Sequence, residues 1–330
     1  MAHPPGLSHR VLASFLREYC SLLTFITPPS TPLRSMMDHR SHDPPNERQD
    51  ERLGAYPPQE PLSPLGEQYA KDVLALGASV HGQQVQYGSD PHQSLTVFRA
   101  SEPNGVVLVF FHGGGWTNGY KEWMYFMAPA FNAQGVTMVT PTYRLAPQHV
   151  FPTGWNDCAD AVAWVYRTLM PAMGTAPRLF VGGHSAGGHY ASLLAVTDTW
   201  RIERDLPQDL LNGCVPVSGV YRFGAHSGLA QRPRLLGPDL AMDERASPIL
   251  NLSTRCTPPF FLSYGSRDFP HLILQAQEMA RALQAVSVPT HVEILEGCNH
   301  FEASMAAGDP SRPWVARTTQ WMRDSRPPAP

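Results

Sequence analysis

No stretch of the 330-residue chain approaches the ~18 consecutive apolar residues that a membrane span requires, so no span is expected. Charge is also scarce. Charged residues make up 16%, 25 basic against 28 acidic, and no block of one sign suggests a nucleic-acid or anionic-membrane footprint. Cysteine is sparse and scattered at Cys20, Cys158, Cys214, Cys256 and Cys298, an odd set without paired spacing. That argues against a secreted disulfide framework and makes a reducing, cytoplasmic location the simpler expectation. Cys298 and His300 have no partner pair at zinc-like spacing, so no metal is expected. Neither an internal repeat nor a second core is legible, which leaves one domain as the economical division.

Proline is the opposite case: the chain has 33, about double the average usage of ~5%. Eleven of them fall in residues 1–66, which read as a partly disordered N-terminal extension. Residues 11–27 resemble a targeting segment only superficially, because Arg17 and Glu18 split the apolar run and no clear small-residue cleavage site follows. Met36–Met37 open a polar stretch and offer an alternative start. From residue 67 to 323 the pattern changes to short apolar runs alternating with helical ones, and residues 324–330 form a tail. Such alternation predicts an α/β fold, a mostly parallel sheet with helices on both faces.

Eight strands are expected, at Gln83–Tyr87, Leu95–Arg99, Val106–Phe111, Val136–Thr140, Leu179–Gly182, Cys214–Val217, Pro259–Tyr264 and His291–Leu295. The first two, joined by the turn-rich GSDPHQ, suit an antiparallel hairpin. Helices are expected at Asp157–Leu169, after Ser185 and at Leu272–Leu283, with loops and short helices over much of 200–248.

Gly183-His184-Ser185-Ala186-Gly187 carries the strongest chemical signal, because G-x-S-x-G here follows an apolar strand and precedes a helical run. A serine held at so sharp a turn is exposed as a nucleophile, and the flanking glycines relieve the crowding. His112-Gly113-Gly114-Gly115-Trp116, at the end of another strand, supplies bare amides for an oxyanion; Gly114, Gly115 and Ala186 are the expected donors. The loop lacks a phosphate-loop ending and the spacing of a dinucleotide fingerprint, so no cofactor is expected. Asp268 and His300 each follow a later strand, in the order Ser, Asp, His, and complete a candidate triad with Ser185. His112 reads as a loop organiser, His184 and His189 as structural or pocket-lining, and Asp157 and Asp160 as a solvated helix face.

These motifs resemble the α/β-hydrolase superfamily, and within it the HGGG enzymes similar to hormone-sensitive lipase and bacterial carboxylesterases. Tyr143-Arg144-Leu145-Ala146-Pro147 is similar to their segment after the fourth strand. A closer resemblance is to kynurenine formamidase (arylformamidase), carried by HGGGW, by Asn118 to Glu122, by VQYG at 85–88, by GHSAGGH at 183–189, by VSGVY at 217–221 and by His300-Phe301-Glu302. That resemblance implies the same triad and a small-molecule acyl substrate, with N-formylkynurenine leading and a broad carboxylesterase as the alternative. A non-catalytic ligand-binding protein of the same fold is the third reading. Trp116, Tyr120, Trp123, Tyr125 and Phe126 supply an aromatic group beside the oxyanion loop; Trp116 and Tyr120, with His184, are the candidate pocket residues. No nucleic-acid partner is expected, and a homodimer is left open.

Overall fold

The structure is a computed structural model describing residues 53–174, 177–225, 227–253 and 256–325. The expectations for residues 1–52 and for 326–330 lie outside the described residues.

Eight strands form one sheet in the order β1-β2-β4-β3-β5-β6-β7-β8. They are β1 (Gln83–Gln86), β2 (Ser94–Phe98), β3 (Val106–Phe111), β4 (Thr137–Pro141), β5 (Arg178–His184), β6 (Leu211–Val217), β7 (Phe260–Gly265) and β8 (Thr290–Leu295). The expected hairpin is present: β1 pairs antiparallel with β2, and β2 antiparallel with β4. All later pairings are parallel. The largest boundary difference is at β6, which begins at Leu211 rather than Cys214. Its first residues, Leu-Asn-Gly, do not look like a strand, yet Leu179 pairs with Leu211 and the Asn212 side chain accepts from the Leu179 amide.

Strand β3, VVLVFF, is buried along its whole length, as a central parallel strand covered on both faces must be. One apolar cluster packs under α2 (Thr153–Trp164), α3 (Ala186–Val196) and α4 (Pro270–Ala285). A second lies under α1 (Pro64–Gly77), the helical turn Lys121–Met127, α5 (His300–Ala306) and α6 (Pro313–Asp324). The helix expected at Asp157–Leu169 is α2, which starts at Thr153 and runs into a widened turn over Val165–Leu169.

Two expectations need correction. The supposed domain start at residue 67 falls inside α1, which begins at Pro64 under a Ser63 cap. Residues ahead of it are gripped by the body: Gln59 bonds both ways to the Gly119 backbone, at 2.8 and 3.1 Å. Asp157 is not on a solvated face either. It is fully buried, and its two oxygens accept from the Arg144 backbone amide and guanidinium at 2.7–2.9 Å and from Gln93 at 2.9 Å. Only Asp160, paired with Arg204, keeps a partly exposed side chain. No helix among the described residues is long and apolar enough to cross a membrane, and the four described cysteines are unpaired.

Candidate active site

Strand β5 ends in Gly183-His184, and the chain reverses at Ser185 straight into α3. Ser185 sits at φ 53°, ψ −114°, a conformation that costs a non-glycine residue of order 1–3 kcal/mol and persists only where its surroundings enforce it. Those surroundings are visible: its amide donates to the Val217 carbonyl and its carbonyl accepts from His189, both at 2.9 Å. The flanking glycines are dictated by contact. A Cβ on Gly187 would lie 2.2 Å from the Phe111 carbonyl oxygen, and one on Gly183 would lie 2.4 Å from the Gly187 carbonyl carbon.

The next two strands deliver the other members. After β7 a tight turn, closed by the Asp268 amide on the Gly265 carbonyl at 3.1 Å, presents Asp268. After β8, His300 opens α5 under a reciprocal cap formed by Asn299 and Glu302. Its Nε2 lies 2.9 Å from Ser185 Oγ, and its Nδ1 lies 2.9 Å from Asp268 Oδ1. With the carboxylate accepting from Nδ1–H, Nε2 is left to accept the serine proton. Burial works to raise the Asp268 carboxyl. The hydrogen bond and charge of His300, the Ser218 hydroxyl and the Phe269 amide outweigh it and hold the group below its ordinary range.

The glycine loop approaches the same serine from β3. Gly114, Gly115 and Trp116 all adopt positive φ, at 113°, 61° and 64°. The Gly114 carbonyl is tied to the amides of Thr117 and Asn118. Among the described residues, the Gly114 and Gly115 amides donate to no backbone or side-chain acceptor, so they are free for a ligand. His112 organises this loop from below. Burial takes its imidazole down to about 3, so it is neutral; it stacks on Tyr143 with centroids 4.2 Å apart and bonds the Gly113 carbonyl at 2.7 Å. His189 is committed in the same way: it accepts from Trp116 Nε1 at 3.1 Å and donates to the Ala246 carbonyl at 2.7 Å. His184, which burial and the His300 charge lower to about 3, donates to the His300 carbonyl at 3.0 Å and so steadies the base from behind.

A cavity of about 330 Å³ opens over Ser185. Gly114, Gly115, Trp116 and His184 line it as expected. Tyr120 does not: its ring packs on Tyr56 at 4.7 Å and edge-on to Trp123, facing the N-terminal segment. Of the other aromatics in that run, Trp123 reaches the cavity, whereas Tyr125 bonds Thr96 in the core and Phe126 packs at Gly308. The sequence reading missed Tyr69 of α1, Phe269, Gln231 and the segment Pro61–Ser63. Only Phe269, next to the candidate acid, carried a positional hint.

Comparison with known proteins bears on the fold. The family model described as alpha/beta hydrolase fold matches residues 108–303. The chain is 31% identical over 229 residues to esterase LipC of Mycobacterium tuberculosis, covering 63% of this chain and 56% of that protein. It is 25% identical over 224 residues to a kynurenine formamidase of Danio rerio, covering 66% and 73%. Against some curated relatives, LipC among them, the matched region therefore spans little more than half the relative's length. The crystal structure of the carboxylesterase EstE1 from a metagenomic library superposes with a TM-score of 0.64 at 23% identity, covering 80% of this chain and 98% of that one, a likeness of fold.

Proposed function

The chain belongs to the α/β-hydrolase fold family, and from that premise we propose that it is a serine hydrolase of small, uncharged carboxylic esters. The observation that carries this reading is the unbroken chain Ser185 Oγ, His300 and Asp268, with both links at 2.9 Å. Ser185 attacks the ester carbonyl as His300 Nε2 takes its proton. The tetrahedral oxyanion is received by the amides of Gly114, Gly115 and Ala186, each donor contributing ~3–4 kcal/mol where such groups have been removed in other enzymes. His300 then returns the proton to the departing alcohol, leaving an acyl-Ser185 that water hydrolyses by the same steps. Asp268 fixes the imidazole tautomer and stabilises the imidazolium.

Ester over α-amino-acid formamide is favoured by the lining. Every described lining residue is uncharged or an imidazole, and burial lowers His184 and His271, which keeps both rings neutral. A zwitterionic amino acid such as N-formylkynurenine would bring a carboxylate into this cavity without a guanidinium or ammonium to meet it. Formamide cleavage remains the second reading, favoured by the aromatic walls Trp116, Trp123 and Tyr69 and by the formamidase relative.

The test is a substrate panel. Purified protein, with active sites counted by fluorophosphonate labelling, is given p-nitrophenyl acetate, butyrate and octanoate and N-formylkynurenine. Short esters are expected to turn over fastest, with Ser185→Ala abolishing both labelling and turnover. Faster formate release from N-formylkynurenine would transfer the assignment to the second reading. Folded protein that neither labels nor hydrolyses anything would remove both.

A further inference from the structure

Asp268 has two carboxylate oxygens, and the contacts described so far occupy only one. Oδ1 receives His300 Nδ1 at 2.9 Å and the Phe269 amide at 2.7 Å. Oδ2 is buried and lacks a hydrogen-bond partner of good geometry among the described residues. An unpaired carboxylate oxygen in a dry site is costly, so a donor is to be sought beside it. The hydroxyl of Ser218 is buried and equally unpartnered, and of the side chains that hold the Asp268 charge down it ranks next after His300. One orphan donor and one orphan acceptor meet at the same carboxylate.

The backbone of Ser218 adds an independent observation. It lies at φ 52°, immediately after β6 and immediately before a glycine, Gly219. Its amide is fixed by the Ser263 carbonyl of β7 at 2.8 Å, and the residue before it holds the Ser185 amide. Ser218 thus bridges the strand that presents the nucleophile and the strand that presents the acid. Glycine would adopt this backbone without strain, so a serine here sustains a cost that its hydroxyl must offset.

Building on the triad reading above, we propose that Ser218 is a positioning residue: its hydroxyl donates to Asp268 Oδ2 and holds the carboxylate plane so that Oδ1 stays on His300 Nδ1. In the free protein the bond is not well formed, as is common for catalytic hydrogen bonds before the charged intermediate develops. It tightens when His300 becomes an imidazolium. The titratable groups facing this carboxylate are His300 on α5, His184 at the end of β5, His271 on α4 and Tyr221 after β6. With the first three present in any Ser218 variant, a change in the pH profile reports the missing hydroxyl.

The decisive variant is Ser218→Gly, which deletes the hydroxyl and relieves the backbone, with Ser218→Ala as a second. Ester hydrolysis is measured per fluorophosphonate-labelled site across pH, alongside thermal melting. For Ser218→Gly the melting temperature is expected to stay level or rise. Its kcat should fall about tenfold with KM little changed, as for one lost bond to a charged group. The acid limb of kcat/KM should move to lower pH, because a bond that tightens as His300 protonates favours the imidazolium, and without it the ring gives up its proton more readily. Unchanged kcat and an unmoved acid limb in labelled Ser218→Gly would overturn the proposal. So would losses in both variants that merely follow the folded fraction. Failure of the wild-type protein to label is a different result, which removes the triad reading itself.

Discussion

Asp157 and Asp160 lie three residues apart on α2, and replacing each by alanine should give opposite results. Asp157 accepts four hydrogen bonds, from the Arg144 amide, two guanidinium nitrogens and Gln93, and its side chain is fully buried. Truncating one partner of a buried charge pair costs about 3–5 kcal/mol. Arg144 is 28% exposed and its guanidinium can turn to water, which places the expected loss near the lower end, about 3 kcal/mol. For a body of this size that is a fall of roughly 6–12 °C in melting temperature. Asp160 is 43% exposed and pairs with Arg204, so its removal should cost under about 1 kcal/mol. The damage at Asp157 should also reach the active site. Its partner Arg144 begins the segment whose Ala146 amide holds the Trp116 carbonyl at 2.9 Å, and the preceding Tyr143 stacks on His112. Calorimetry and urea titration of both variants, with turnover per labelled site, check this. Equal melting temperatures for Asp157→Ala and wild type would refute the argument that this carboxylate ties the loop to the helix.

Two further outcomes follow from the same geometry. Gly114→Ala would set a Cβ 2.1 Å from the Asn118 carbonyl oxygen at φ 113°, so the loop must shift; kcat/KM should fall about 10²–10³-fold, as for a lost oxyanion donor, and a fall of less than about tenfold would clear Gly114 of that role. Burial lowers His112 and His184 to about 3 and His189 to about 4, so these rings stay neutral in the fold while their unfolded counterparts protonate near 6.5. A depressed folded-state pKa gives stability that is full above the unfolded value and lost as pH falls toward the folded one. Unfolding near pH 5 should therefore take up about three protons through these rings, a slope of about 4 kcal/mol per pH unit at most, and a flat urea-derived stability between pH 5 and 6 would contradict it.

How much of this was legible depends on how local each signal is. The central strands announce themselves because a buried parallel strand must be a continuous apolar run, and Val106–Phe111 carries the same bounds in sequence and structure. Ser185, Asp268 and His300 are legible for a related reason: Ser185 follows β5 directly, and Asp268 and His300 lie three and five residues past the ends of β7 and β8, so finding the strand end brings the residue into view. Helix α6, PWVARTTQWMRD, was not anticipated because its buried face is built partly from Thr318 and Thr319, which a reading by apolar period treats as surface. Asp157 misled for the opposite reason. A carboxylate four residues into a helix looks solvated unless the arginine that buries it is known, and Arg144 reaches it only through the tertiary fold.

Segment 53–63 is the hardest case, and it bears directly on the cavity. Its composition, rich in proline and polar residues, matches a disordered extension, because what holds it has no period: the Tyr56 ring packs on Tyr120 and Leu62 packs on the second apolar cluster, alongside polar contacts. Gln59 satisfies the amide and carbonyl of Gly119, the Asn118 side chain donates to the Glu60 carbonyl, and Arg234 pairs with the Glu60 carboxylate. Lys121, itself buried against Glu122, donates to the Tyr56 hydroxyl at 2.5 Å. Of these contacts, the Gln59 pair meets the backbone of Gly119, whose positive φ of 106° and close approach to His112 and Gly113 tie it to the glycine-dependent shape of the oxyanion loop. The same shape frees the Gly114 and Gly115 amides. A segment whose grip requires the competent loop favours that loop in return, so removing its Gln59 contacts acts on the amides from a distance.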